Sequence, residues 1–282
     1  MTTIHLTDRD VMPDVEANRL EGTFIDVRHH DRVIRERCRV AKPDGDILGL
    51  YLPDVIAPDI CRSVFAALRD LPLASSNRGP ATGAPRLRRI TRDGRQSNTA
   101  QCRAVPSGVL GFLDRSRGAP CRLSALTADH VAEFAALRPM LDRVSYLFAT
   151  ELPGRHAAQW NFIEGVSPDF IIHGTPFTTV TVNRSWRTAA HRDEGDLRAG
   201  FGVMVVLGEF EGGELIFPKF RTAFDARPGG LLLADVHELH GNGPLDVPPG
   251  HQRLSLVFYA REQMKACGSA ADELARAQET TR

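Results

Sequence analysis

The chain is expected to be mainly β with flanking helices, an α+β protein whose core is a double-stranded β-helix, or jelly roll. Two patterns predict this. Residues 177–261 break into short β-rich runs with Gly and Pro in nearly every gap, as expected for sheets joined by tight turns. Ahead of them lie segments with apolar residues at helical spacing, and no linker-like stretch divides the chain. One domain over 1–282 is therefore expected. Its helical and irregular half, 1–176, would pack on a core at 177–261, followed by a helix or tail over 262–282.

In order along the chain, residues 22–27 and 47–52 are β-rich runs bounded by Gly, Asp and Pro, and each predicts a strand. Residues 58–71 predict a helix: Ile60, Val64, Phe65, Leu68 and Leu71 follow a 3.6 period, and Pro58 suits the first turn. Residues 74–104 are rich in Ser, Gly, Pro and Asn, and they carry a basic cluster, Arg86, Arg88, Arg89, Arg92 and Arg95. That cluster suits a solvated loop face or a loop that meets a substrate phosphate or carboxylate. Residues 127–150 predict a second helical region with Val131, Phe134, Leu137, Leu141, Val144 and Phe148 on one side, kinked or split at Pro139. Strands are predicted at 177–183, 202–207, 213–217, 221–226, 230–234 and 253–260, then a terminal helix after Arg261.

Composition narrows the function. Hydrophobic content is 42% and charged content 25%, the proportions of a soluble globular protein. No apolar run is long enough to span a bilayer, so no membrane partner is expected. The N-terminus lacks the basic and apolar regions of a secretory leader, which predicts a cytoplasmic protein. Cys38, Cys61, Cys102, Cys121 and Cys267 are scattered and odd in number, and they predict free thiols rather than a disulfide frame or zinc site. Lys+Arg and Asp+Glu are both 35, which argues against long nucleic acid as the main partner.

The chemistry concentrates at His191-Arg192-Asp193. On extended backbone, positions i and i+2 project to the same side, so an imidazole and a carboxylate face one point. A second histidine, His240 or His237, follows in Asp235-Val236-His237-Glu238-Leu239-His240-Gly241-Asn242. Two His and one carboxylate with open positions form the facial set that suits non-haem Fe(II) in oxygenases.

These residues, with Gly212-Gly213-Glu214-Leu215-Ile216-Phe217-Pro218 and Arg253-Leu254-Ser255, resemble the 2-oxoglutarate- and Fe(II)-dependent dioxygenases. The resemblance is nearer to the TET/JBP-like branch over residues 177–261. It rests on Val182-Asn183-Arg184, Ala190-His191-Arg192-Asp193-Glu194-Gly195-Asp196, Glu211-Gly212-Gly213-Glu214-Leu215 and Leu239-His240-Gly241-Asn242. The cysteine-rich region of the animal enzymes is missing, so their DNA-docking mode does not carry over. The resemblance implies Fe(II) held by His191, Asp193 and His240, with His240 preferred to His237 because Gly241-Asn242 follows it. It implies 2-oxoglutarate held by Arg253 and Ser255, with Asn183 near its iron-binding end. A guanidinium's planar fork matches a carboxylate, and a hydroxyl adds a bond.

The implied reaction consumes O2, releases succinate and CO2, and oxidises the 5-methyl group of a pyrimidine, with a free nucleoside or nucleotide favoured over nucleic acid. Arg86, Arg88, Arg89, His173, Trp186 and His237 are further candidates for substrate contact. Hydroxylation of an amino acid or other small metabolite uses the same motifs, because specificity lies in loops. A halogenase is disfavoured because Asp193 fills the position a halide would need. A non-catalytic jelly-roll module would be expected to have lost one of these groups.

Overall fold

The structure of the protein is a computed structural model. It describes residues 1–76, 78–83, 89–90, 96–97, 103–116 and 119–280, with the backbone alone at 89–90, 96–97 and 280. Two facing sheets make the core. In the larger, nine-stranded sheet the order is Thr2–His5, Cys38–Ala41, Ile47–Leu52, Leu231–Ala234, Gly202–Gly208, Arg253–Tyr259, Thr179–Arg184, Ser107–Leu113 and Arg122–Leu123. The smaller sheet runs Gly241–Asn242, Leu215–Phe217, Thr222–Phe224 and Arg32–Ile34. This is the jelly-roll architecture with helices outside it that the spacing of turns predicts. The larger sheet draws strands from both the N-terminal half and the 177–261 segment.

Side-chain alternation explains why the larger sheet is buried on both faces. Val180, Val182, Val203, Val205, Leu254, Leu256 and Phe258 share a core with helix residues Val64, Leu68, Leu141, Val144 and Phe148. Met204, Val206, Leu232 and Ala234 point the other way, onto Leu215, Phe217 and Phe224 of the smaller sheet. The helices follow their own signals. Pro58 opens Pro58–Leu68. The region expected at 127–150 is split into Ala125–Asp129, Val131–Ala136 and Arg138–Glu151, and Pro139 lies in the first turn of the last, where its missing N–H costs nothing. Val131 is 62% exposed, so it does not join the stripe assigned to it.

Two further expectations are overturned. Residues 22–27 form no strand. Asp26 instead accepts a hydrogen bond from the Arg28 N–H and starts a 3-10 turn, Val27–His29, while Phe24 lies under the Arg187 guanidinium. The cysteines are not all free: Cys121 and Cys267 form a disulfide, with Cα atoms 5.8 Å apart across a separation of 146 residues. The C-terminal segment returns to the sheet edge, where buried Glu273 accepts from the N–H groups of Cys121 and Gly268 and pairs with Arg115. That docking brings the two thiols together, and linear spacing carries no sign of it. Cys38 and Cys61 are free, and Cys102 lies outside the described residues. Among the described residues no helix is long and apolar enough to cross a membrane.

Candidate active site

His191 and His240 meet because their backbones do. They form an isolated antiparallel bridge, with the His191 N–H donating to the His240 carbonyl at 2.8 Å and the reverse bond at 3.0 Å. The crossing is tight. A Cβ on Gly241 would stand 3.0 Å from backbone atoms of Ala189 and Ala190, so any larger residue after His240 would press the two segments apart. Asp193 is tied alongside by its N–H to the Val236 carbonyl at 3.0 Å. Its two carboxylate oxygens lie 3.6 Å from His191 Nε2 and 3.7 Å from His240 Nε2. One donor atom from each residue falls within 4.8 Å of the others, a spacing that one ion can bridge.

The rings are aimed by their other nitrogens. His191 Nδ1 bonds the Ala189 carbonyl at 2.8 Å and His240 Nδ1 the Glu238 carbonyl at 2.9 Å. A carbonyl only accepts, so each Nδ1 carries hydrogen and each Nε2 presents a lone pair. Burial, and then the neighbouring His191 ring, bring the His240 pKa down to about 4. The imidazole is therefore neutral at pH 7, the form that ligates metal.

Arg253 supplies a different signal. Its side chain is enclosed by the Phe210 ring, 5.1 Å from the guanidinium, and by Gly213, whose carbonyl lies 3.5 Å from Nη2. Nε has no partner among the described residues, and the residue is 2% exposed. Burial, with Arg227 adding to it, brings its pKa down to about 10, so it remains charged at pH 7. A buried, poorly partnered cation is costly unless an anion completes it. This observation fits a dicarboxylate cosubstrate. Ser255 lies two residues on, on the same face, and pairs in register with Asn183. Ser107 Oγ donates to Asn183 Oδ1 at 2.6 Å, leaving the amide nitrogen for the cavity.

A cavity of about 330 Å³ gathers these groups. Its lining includes His191, Asp193, His240, Asn183, Ser255 and Trp186. Arg253 is not a lining residue, but it shares the Gly213 carbonyl with Asn242 of the lining. His173 and His237 are not among the lining residues, which corrects their candidacy for substrate contact. His173 is exposed, on the turn where its carbonyl accepts from Arg138. His237 has both ring nitrogens engaged, Nδ1 with Asp235 at 3.4 Å and Nε2 with the Asp196 carbonyl at 3.1 Å. It is therefore not the third member of the cluster. Arg86 and Arg88 lie outside the described residues, as does the side chain of Arg89.

The wall also holds residues that the motifs did not single out: Arg78, Thr181, Asp196, Tyr259 and Arg261. Alternation could have found Thr181 and Tyr259, which share a strand face with Asn183 and Ser255 respectively. Thr181 Oγ1 and the Tyr259 hydroxyl are 3.1 Å apart. Arg261 pairs with Asp114 at 2.7 Å. Burial and the charge of Asp193 push the Asp196 carboxyl up, against the pull of Arg261 and Arg78.

Residues 108–262 match the Tet/JBP family model, described as the oxygenase domain of the 2OGFeDO superfamily, the 2-oxoglutarate- and Fe(II)-dependent dioxygenases. The chain belongs to this family. It is 38% identical over 164 residues to thymine dioxygenase JBP1 of Trypanosoma brucei brucei, covering 55% of this chain and 19% of that protein. It is 32% identical over 217 residues to the bifunctional helicase and thymine dioxygenase JBP2 of Leishmania tarentolae, covering 76% of this chain and 18% of the relative. The chain thus spans about a fifth of the length of the curated relatives it matches. In fold it is similar to NgTET1, solved in complex with 5mC DNA. That likeness has a TM-score of 0.62 at 14% identity and covers 88% of this chain and 86% of the other. The Tet/JBP superfamily works with Fe(II), 2-oxoglutarate and O2, and the His191–Asp193–His240 cluster has the donor set for the metal.

Proposed function

We propose that this protein is a dioxygenase that hydroxylates the 5-methyl group of a thymine-type base. The base, O2 and 2-oxoglutarate would be converted to the 5-hydroxymethyl base, succinate and CO2. The observation that carries the reading is the opening of the His191, Asp193 and His240 donor atoms onto one cavity with Asn183 and Ser255, beside the enclosed cation of Arg253. The names of the relatives support the choice of base.

When bound, Fe(II) with 2-oxoglutarate supplies the oxidising chemistry. The residues of this chain do the rest. His191, Asp193 and His240 would hold the metal. Arg253 would take the far carboxylate of 2-oxoglutarate with help from Ser255, and Asn183 would donate its amide to the near end. Met204, Val257 and the Tyr259 ring give the substrate ring an apolar bed, and Asp196 addresses its polar edge. At about 330 Å³ the cavity is at the small end of ligand sites, so it admits one base at a time. A base in a duplex would have to leave the stack to enter it.

Nucleic acid is the favoured source of the base, since the relatives and the fold neighbour point to it. The balanced charge, 35 basic against 35 acidic residues, favours the free nucleoside as a second reading. Succinate release and product mass, measured with thymidine, a thymine-containing oligonucleotide and free amino acids, separate the cases. A 5-hydroxymethyl product from the oligonucleotide supports the first reading, and one from thymidine alone supports the second. Succinate release driven only by an amino acid would overturn both.

A further inference from the structure

Arg78 is a charged group in the cavity that the proposed reaction leaves without a task. Its Nε and Nη2 are buried and have no hydrogen-bond partner among the described residues. The other two guanidinium groups of this wall are already held, Arg261 by Asp114 and Arg192 by Glu21 and Asn18. Arg78 is not there by chance of a loose loop. The Arg78 carbonyl accepts from Ala81 N–H at 3.1 Å and starts the 3-10 turn Gly79–Thr82. The Ala81 carbonyl in turn accepts from Ala189 N–H at 2.9 Å, two residues before His191. The segment is therefore pinned beside the metal-binding bridge, and it carries a donor-only group into the space where the substrate is expected.

The surroundings choose the acceptor. Asp196 lies close enough to Arg78 for their charges to interact, and so does the Tyr259 hydroxyl. A carboxyl oxygen beside the fork accepts where the guanidinium donates, so the pair suits a neutral ring edge that offers a donor next to an acceptor. The imide edge of thymine or uracil is such an edge, with N3–H beside a ring carbonyl. Cytosine carries an amino group where thymine has its 4-carbonyl, and that group would set N–H against N–H.

Resting on the function proposed above, we infer that Arg78 is a specificity residue that selects keto-pyrimidines. Its Nε and Nη2 donate to the 4-carbonyl of the base, with Asp196 beside it facing N3–H. The 5-methyl group is thereby aimed at the metal, and 5-methylcytosine is disfavoured.

The test compares kcat/KM for thymine and 5-methylcytosine in one oligonucleotide sequence, for the full chain and for Arg78→Met. Anaerobic binding of the same labelled oligonucleotides is measured alongside. The variant should lose about 10- to 100-fold on thymine, the effect of a hydrogen bond to a charged group, and much less on 5-methylcytosine. Its KM for 2-oxoglutarate should not change. If Arg78→Met does not fold, Arg78→Lys reads the same ratio, since it keeps the charge and loses the planar fork. An unchanged thymine-to-5-methylcytosine ratio, or a loss that tracks the KM for 2-oxoglutarate, overturns the assignment alone. A wild-type protein that oxidises neither base overturns the functional reading and this inference with it.

Discussion

The strand Arg253–Tyr259 has two faces with opposite economies. Leu254, Leu256 and Phe258 are fully buried among apolar neighbours on the helix side. Arg253, Ser255, Val257 and Tyr259 face the other way, and there Arg253 Nε is buried with no hydrogen-bond partner among the described residues. The first face holds the fold together, and the second spends part of that stability on a site that waits for ligands. Residues one apart in sequence should therefore answer mutation in different observables.

The largest effect belongs to the donor cluster. Asp193→Ala or His240→Ala should abolish succinate formation and weaken Fe(II) binding by more than the roughly 10–100-fold cost of losing an outer partner. The Tm of the metal-free protein should move little. A large fall in Tm with iron binding intact would place these residues on the structural side of the contrast.

Next comes the helix face. Leu256→Ala should cost about 2–5 kcal/mol in denaturant unfolding, because it opens a cavity in a packed core. Activity per folded molecule should survive. Loss of iron or 2-oxoglutarate affinity in a variant of native stability would show that the two faces are not separable.

Arg253→Leu sharpens the comparison by reversing its sign. Removing an enclosed cation with an unpartnered Nε should stabilise the ligand-free protein by about 1–3 kcal/mol. The same change should eliminate the rise in Tm that 2-oxoglutarate gives the wild type. A destabilised Arg253→Leu protein would mean that the guanidinium is already well satisfied without a ligand.

Charges beside the site behave like the structural face because they are paired. Lys42 contacts Asp235 at 3.0 Å and Glu238 at 3.3 Å, and His237 contacts Asp235 at 3.4 Å. Burial pushes the Asp235 carboxyl up, but the His237 hydrogen bond and the Lys42 charge outweigh it and bring the pKa down from 3.8 to about 2. A pKa depressed by folding adds stability above the unfolded value, and that stability fades as pH falls through the folded one. Asp235→Asn should thus be less stable than wild type by about 2 kcal/mol above pH 5, with the difference closing between about pH 4 and pH 2. A difference that grows on acidification would refute this.

Much of the β-core was legible because its signals are local. Short β-rich runs with Gly and Pro at the turns located the strands from Thr179–Arg184 to Arg253–Tyr259 to within a few residues. The run at 22–27 had the same composition, yet it became a capped turn, because a strand also needs an edge to pair with and Asp26 offered its N–H neighbours a closer acceptor. Helix Pro153–Glu164 was missed for a similar reason: its buried residues are Gln159 and Ile163, too few to print an apolar stripe.

At the site, the sequence by itself determined which residue types could do the chemistry: a His-x-Asp pair, a distant His-Gly and an Arg-x-Ser, each readable within a few positions. The tertiary structure decided their company. The bridge between residues 191 and 240, the arrival of Arg78 from the N-terminal half, the hold of the Asp196 carbonyl on His237 Nε2 and the closure of Cys121 on Cys267 all join segments far apart in the chain. Such contacts depend on how sheets and loops pack in three dimensions, and no local pattern records them.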